Sequence, residues 1–196
     1  MLVSYQLPFK FEADSLKADL EQVLPEEWRP HFNRPYYEGD WKALALRSTT
    51  GRVNQIYRSP DDAREPRDTV VLSRCAYFRE VLNTFQCPIL NARLLSLSPG
   101  SKIREHEDFQ MGFEYGLIRI HIPIVTDERV EFFVGQQRLL MKEGEAWYID
   151  FGQPHSVNNL SEMDRVHLVI DCTVNDWLSA LFPADQVPAQ LSEVQF

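Results

Sequence analysis

The sequence predicts a mainly β protein with some α-helix: an antiparallel sandwich or barrel in the C-terminal half, under a helical N-terminal layer. Two observations carry this. From residue 91, the runs NARLLSLS, GLIRIHIPIVT, VEFFVGQQRLLMK, EAWYIDF and RVHLVIDCT follow one another, each rich in β-branched, leucine or aromatic residues. Each is bounded by Gly, Pro or Asn turns, so five or six short strands occupy roughly 85 residues, as in a sandwich or barrel. Before residue 91 the apolar residues recur instead at helical spacing in two segments.

In chain order, DSLKADLEQVL (14–24) reads as a helix with Asp14 or Ser15 as cap, Leu16, Leu20, Val23 and Leu24 as its apolar stripe, and Pro25 as its stop. WKALALRS (41–48) alternates and reads as a strand. RSPDDAREPRD (58–68) has two prolines and seven charged residues and reads as a surface loop. CAYFREVLNTF (75–85) has helical spacing and is expected to cover one face of a sheet. Gly135-Gln136 marks a hairpin between two of the strand runs. VNDWLSALF (174–182) reads as a short helix capped by Asn175 or Asp176, followed by a loose Pro/Gln-containing tail. The expected organisation is a single domain over 1–196. It comprises an α/β layer at 1–90, the β-core at 91–173 and the C-terminal helix and tail at 174–196.

Composition narrows the classes of partner. With 196 residues, 44% hydrophobic and 25% charged, the chain has the make-up of a soluble globular domain. A net charge of −9 repels phosphate backbones, so neither nucleic acid nor anionic membrane is expected as a partner. Three cysteines (Cys75, Cys87, Cys172) without a C-x-x-C pair point to reduced thiols. The N-terminus has no basic start followed by an apolar run, and no stretch reaches the ~18 apolar residues of a membrane helix. A cytoplasmic location is expected, and oligomeric state is open.

The chemistry concentrates in REHEDFQ (104–110). In an extended segment, side chains two apart point the same way, so His106 and Asp108 converge on one cation while Glu107 turns aside. His155, after Pro154 at the end of EAWYIDF, is the natural third ligand, brought close only by a long-range fold. Two histidines and a carboxylate on one face of an octahedral ion leave about three positions open and favour non-haem Fe(II) oxygen chemistry. An H-x-D taken alone is a frequent chance pairing; the order H-x-D, several strands, then His at a strand end is more specific.

Arg165 opens the otherwise apolar strand RVHLVID, and a buried guanidinium needs an anion. Either a bound dicarboxylate or a salt bridge to Asp164, Asp171 or Glu162 answers that need. Arg119 and His121 share one face of GLIRIHIPI, with Ile118, Ile120, Ile122 and Ile124 on the other. Two polar residues looking into a core require something polar there; the alternative is an edge strand with a wet face.

Taken together, L-S-L-S-P-G-S-K-I-R-E-H-E-D, R-I-H-I-P-I, W-Y-I-D-F-G-Q-P-H-S-V-N-N and R-V-H-L-V-I-D resemble the aspartyl/asparaginyl β-hydroxylase family, in particular its proline cis-hydroxylase branch. The resemblance spans about residues 91–172. It implies a double-stranded β-helix (cupin or jelly-roll) core. It further implies Fe(II) held at His106, Asp108 and His155, and 2-oxoglutarate as cosubstrate with its distal carboxylate on Arg165. Arg119 and His121 would line the same pocket, where they touch cosubstrate or substrate. The implied activity is hydroxylation of an unactivated C–H bond with O2, releasing succinate and CO2. A free amino acid is the first choice of substrate and a peptide the second. The competing reading is a cupin without 2-oxoglutarate, either a different metal enzyme or a non-catalytic binder of a small ligand. Vertebrate members lack the carboxylate ligand, whereas this sequence has Asp108. The proline hydroxylases carry an additional C-terminal region that this sequence does not, so proline itself is not assigned as substrate. Asp150, Asn158 and Trp147 are the candidates for orienting the ligands, and FQMGFEYG (109–116) is a candidate lid.

Overall fold

Most strand runs of this chain are apolar at nearly every position, and the tertiary structure explains why: the larger of its two sheets is buried on both faces. The computed structural model describes residues 2–58 and 62–186. In order the elements are β1 (Ser4–Lys10), α1 (Ala13–Leu20), β2 (Arg29–Pro30), β3 (Tyr37–Glu38), β4 (Trp41–Ser48), β5 (Arg67–Asp68), α2 (Val70–Arg74), α3 (Ala76–Thr84), β6 (Ile89–Leu97), β7 (Lys102–His106), β8 (Leu117–Val125), β9 (Val130–Val134), β10 (Gln137–Leu139), β11 (Glu145–Ile149), β12 (His155–Asn159), β13 (Arg165–Thr173) and α4 (Asp176–Ser179).

Every strand pairing is antiparallel. The larger sheet runs β1-β11-β8-β13-β6-β4-β2, with β5 on β4; the smaller runs β10-β9-β12-β7-β3. This is the jelly-roll arrangement of two facing sheets. Side-chain alternation divides the larger sheet cleanly. Ile118, Ile120, Ile122 and Ile124 of β8 and Val166, Leu168, Ile170 and Cys172 of β13 join Leu44, Leu46 and Leu94 in an outer core. That core is closed by Leu16 of α1, Val71 and Leu72 of α2, and Phe78, Val81 and Leu82 of α3. The opposite face, with Trp41, Ala43, Ala45, Leu95, Leu97 and Val169, meets Ile103, Val130, Phe132, Val134 and Val157 of the smaller sheet.

Several expectations change. The alternation of β4 divides its residues between two cores, not between core and water, so Ala43, Leu44, Ala45 and Leu46 are all fully buried. The helix expected at 14–24 ends at Leu20, because Pro25 holds Leu24 extended and residues 21–23 tighten into turns. Its N-cap is Glu12, with no side-chain cap bond; Asp14 and Ser15 already lie within the first turn. Arg67 and Asp68, read as loop, form β5, tied to β4 by the Arg47–Asp68 ion pair. β1 and β4 are strands of the larger sheet, so the N-terminal part contributes sheet as well as helices. Residues 59–61 of the polar loop and 187–196 of the tail lie outside the described residues.

The hairpin at Gly135, which takes φ +55°, joins β9 to β10. Asn175 caps α4 by accepting from the Leu178 amide. Among the described residues, no helix is long and apolar enough to cross a membrane.

Candidate metal centre

β12 pairs with β7 so that His155 stands directly opposite His106. The chain then leaves β7, and the Asp108 amide donates to the Phe151 carbonyl (2.8 Å), pinning Asp108 beside the turn that leads into His155. Asp150 builds that turn, accepting from the Gly152 amide (3.0 Å) and from Gln153 Nε2 (3.2 Å). The result is a His106, Asp108, His155 cluster whose ligand atoms all lie within 4.8 Å of one another. The two imidazoles are 4.2 Å apart between centroids, and His106 Nε2 is 3.7 Å from Asp108 Oδ1.

Each histidine donates Nδ1–H to the carbonyl two residues earlier, His106 to Arg104 (2.8 Å) and His155 to Gln153 (3.0 Å). A carbonyl can only accept, so the proton sits on Nδ1 and the Nε2 lone pairs face the cluster, as a metal requires. Burial pushes His155 down to about 4, which keeps it neutral. Burial pushes Asp108 up, but the charge and hydrogen bond of Arg119 more than offset this and hold its carboxyl below the usual range. Two imidazole Nε2 atoms beside an ionised carboxylate form a donor set suited to a divalent cation.

All six residues singled out in the sequence, His106, Asp108, His155, Arg119, His121 and Arg165, line one cavity, together with His31, Trp41, Tyr57, Phe132 and Phe151. A larger groove of about 700 Å3 opens elsewhere, between Lys10–Asp14 and Leu139–Glu143. It shares Phe132 with this cavity but none of the six.

Arg165 is 2% exposed. Among the described residues no carboxylate lies within ion-pairing distance of it, so the salt bridges to Asp164, Asp171 or Glu162 do not form. Its NH2 donates to His167 Nδ1 (2.8 Å), its guanidinium faces the Phe132 ring at 5.3 Å, and its Nε has no partner. Burial without an anion lowers it to about 9. His167 Nδ1 also lies 3.2 Å from His121 Nδ1, and both histidines are held neutral, far below their ordinary pKa, first by burial and then by neighbouring positive charge. Their Nε2 atoms are buried without partners among the described residues.

Arg119 sits on an interior strand, between β11 and β13, so the wet-edge alternative is removed. Its guanidinium is already engaged: Nε donates to Asp171 Oδ1 (2.7 Å), NH2 to Asp171 Oδ2 (3.3 Å), and NH1 to Asp108 Oδ2. Asp171 in turn accepts from Arg93 NH1 (2.7 Å) and NH2 (3.4 Å). Sequence reading passed over Arg93, although it is a charge inside a run buried on both faces, the same signal that singled out Arg165, and offered Asp171 only as a partner for Arg165, whereas it pairs with Arg93 and Arg119. It also missed His31, stacked on Trp41 at 3.5 Å with Nε2 3.2 Å from the Tyr57 hydroxyl; its irregular surroundings carry no sequence signal.

Of the three candidates for orienting the ligands, Asp150 shapes the turn before His155. Asn158 instead donates to Glu131 (3.2 Å) and Trp147 to Glu145 (2.9 Å), both away from the imidazoles. The candidate lid divides in two. Phe113 is buried against Tyr148 and Phe182, while Phe109, next in sequence to Asp108, is 89% exposed.

A jelly roll with two histidines and one carboxylate at one end defines a class of metal-dependent cupin-like proteins. The profile of the aspartyl/asparaginyl beta-hydroxylase family matches residues 10–174, and the chain belongs to that family. It is 27% identical over 165 residues to the L-proline cis-4-hydroxylase of Rhizobium meliloti (strain 1021), covering 83% of this chain and 58% of that protein. It is 23% identical over 144 residues to L-proline cis-3-hydroxylase 2 of a Streptomyces species, covering 69% of this chain and 48% of that protein. The chain thus spans about half the length of the curated relatives it matches. Among solved structures, an oxidoreductase of the 2OG-Fe(II) oxygenase family from Burkholderia pseudomallei superposes with a TM-score of 0.55 at 16% identity, over 87% of this chain and 84% of that one. That likeness is one of fold.

Proposed function

We propose that the protein is an Fe(II)- and 2-oxoglutarate-dependent dioxygenase. In this reading it hydroxylates an unactivated C–H bond of a free amino acid or an amino-acid side chain, releasing succinate and CO2. The observation that carries the reading is Arg165: a guanidinium buried in the cavity of the His-Asp-His cluster, with no anion among the described residues to meet it. A dicarboxylate with one end at the metal and the other at Arg165 removes an unpaired buried charge. The names of the two curated relatives support an amino acid as substrate.

His106, Asp108 and His155 would hold the iron, which with 2-oxoglutarate and O2 supplies the oxidising chemistry. Arg165 would bind and orient the cosubstrate's far carboxylate, with His167 fixing the guanidinium from behind. His121, neutral and with Nε2 unpartnered, offers a polar contact on the cosubstrate's side of the cavity. Phe132, Phe151 and Trp41 exclude water from the space between. No side chain is assigned as a general base.

The test is anaerobic addition of Fe(II) and 2-oxoglutarate, followed by O2 in the presence of a panel of amino acids and short peptides. A weak visible charge-transfer band before O2, and succinate with a hydroxylated product after it, are expected. A preparation that binds Fe(II) yet gives neither band nor succinate with any member overturns the reading in favour of a cupin independent of 2-oxoglutarate.

A further inference from the structure

Asp171 touches no ligand of the metal cluster, yet it is the centre of the charge arrangement behind it. Asp171 is buried, 8% exposed as a residue, and its carboxylate lies between two guanidiniums. On one side is Arg93, fully buried, which is also bonded to Asn91 Oδ1 (3.0 Å) and stacked over the Tyr57 ring at 4.6 Å. On the other is Arg119, held between the Phe151 ring (5.1 Å) and the Tyr57 ring (5.8 Å). Arg119 ends the chain by donating to Oδ2 of Asp108, so that Oδ1 is the carboxylate oxygen left towards His106. Ladder register builds this arrangement: Asp171 stands opposite Arg119 on β8 and opposite Asn91 on β6. The four charges Arg93, Asp171, Arg119 and Asp108 alternate in sign and cancel.

We infer that Asp171 is a positioning residue that makes Asp108 a one-oxygen ligand, by holding Arg119 on the other oxygen; this rests on the reading that His106, Asp108 and His155 hold a divalent metal. The physical reason is competition. Arg119 spends its Nε and NH2 donors on Asp171 and has only NH1 for Asp108. Without the Asp171 charge, Arg119 keeps one anion in reach and turns its fork onto both oxygens of Asp108, withdrawing that ligand from the metal. A one-oxygen carboxylate also leaves three positions of an octahedral ion free, the number that a two-atom chelate plus O2 would need.

The test is a double-mutant cycle on Co(II) affinity, read by chelator competition and by the visible ligand-field spectrum of the bound ion. Asp171→Asn is expected to weaken Co(II) binding at least tenfold and to alter the ligand-field bands. In an Asp108→Ala background the same substitution is expected to change neither, because the ligand it acts through is gone. A purely structural role would lower affinity equally in both backgrounds, and that result overturns the inference, as does Asp171→Asn binding Co(II) like the parent. If Asp171→Asn does not fold, Arg93→Gln carries the same cycle: it keeps the Asp171 carboxylate on Arg119 but loosens its anchor. Its expected loss is about threefold in the parent and none without Asp108, and equal losses again refute the idea. A parent protein that does not bind Co(II) overturns the metal reading itself, so the two failures are distinguishable.

Discussion

His106 and His155 look unrelated in sequence, one inside a charge run and the other after a proline, yet the structure uses them identically. Each is fixed through Nδ1 by the carbonyl two residues before it, which leaves Nε2 for a metal. His106→Ala or His155→Ala is therefore expected to abolish Fe(II) binding, measured by metal content after reconstitution. Arg165→Ala is expected to leave iron content intact while raising the 2-oxoglutarate requirement roughly 10- to 100-fold, the worth of a charge-assisted contact. Unchanged cosubstrate affinity in that variant would show that the anion sits elsewhere. At this scale the H-x-D, the distant His and the lone Arg were legible from residue type and spacing. The partners of Arg119 were not, because Asp108 and Asp171 are 11 and 52 residues away from it.

At the scale of elements, the centre depends on one register and one turn. β12 must pair with β7 so that His155 meets His106, and the ladder shifts register between His155 and Val157 to allow it. The Asp150 turn launches β12 at the right height. Asp150→Ala removes two hydrogen bonds from it and is expected to cost about 1–2 kcal/mol of stability, seen as a lower urea midpoint, together with several-fold weaker metal binding. A variant with reduced stability but unchanged metal affinity would limit Asp150 to a structural part. The existence and type of most elements could be read from apolar runs and turn residues. The early end of α1 and the pairing of Arg67–Asp68 could not, since one depends on how Pro25 constrains its neighbour and the other on a strand 20 residues away.

For the whole molecule, all five histidines sit in or against one cavity, and burial keeps most of them neutral. His31 is pushed down to about 3, and His121 and His167 lie far below 6.5. In the unfolded chain each protonates near 6.5, so below that pH the unfolded state binds more protons than the folded one. Stability therefore falls as pH drops from about 6.5, by at most about 2 kcal/mol per buried histidine at pH 5. Asp171, held near 2 by Arg119 and Arg93 against its burial, adds a further loss below about pH 4. The metal-free protein should thus show a melting temperature that is flat between about pH 7 and pH 8 and declines steadily towards pH 5. A flat profile across that range would mean these histidines are not buried neutral.

What the sequence determined alone was local: the strand-rich C-terminal half, the hairpin, the Asn175 cap and the residue types able to bind a metal and an anion. These follow from periodicity and side-chain chemistry, which act over a few residues. What only the tertiary structure decided was pairing. Antiparallel registers set Asp171 between Arg93 and Arg119, leave Arg165 without an anion among the described residues, and turn the inner face of a doubly buried sheet into a polar chamber. Charges that far apart in the chain acquire partners only when strands align, so their roles exist at that scale and no other.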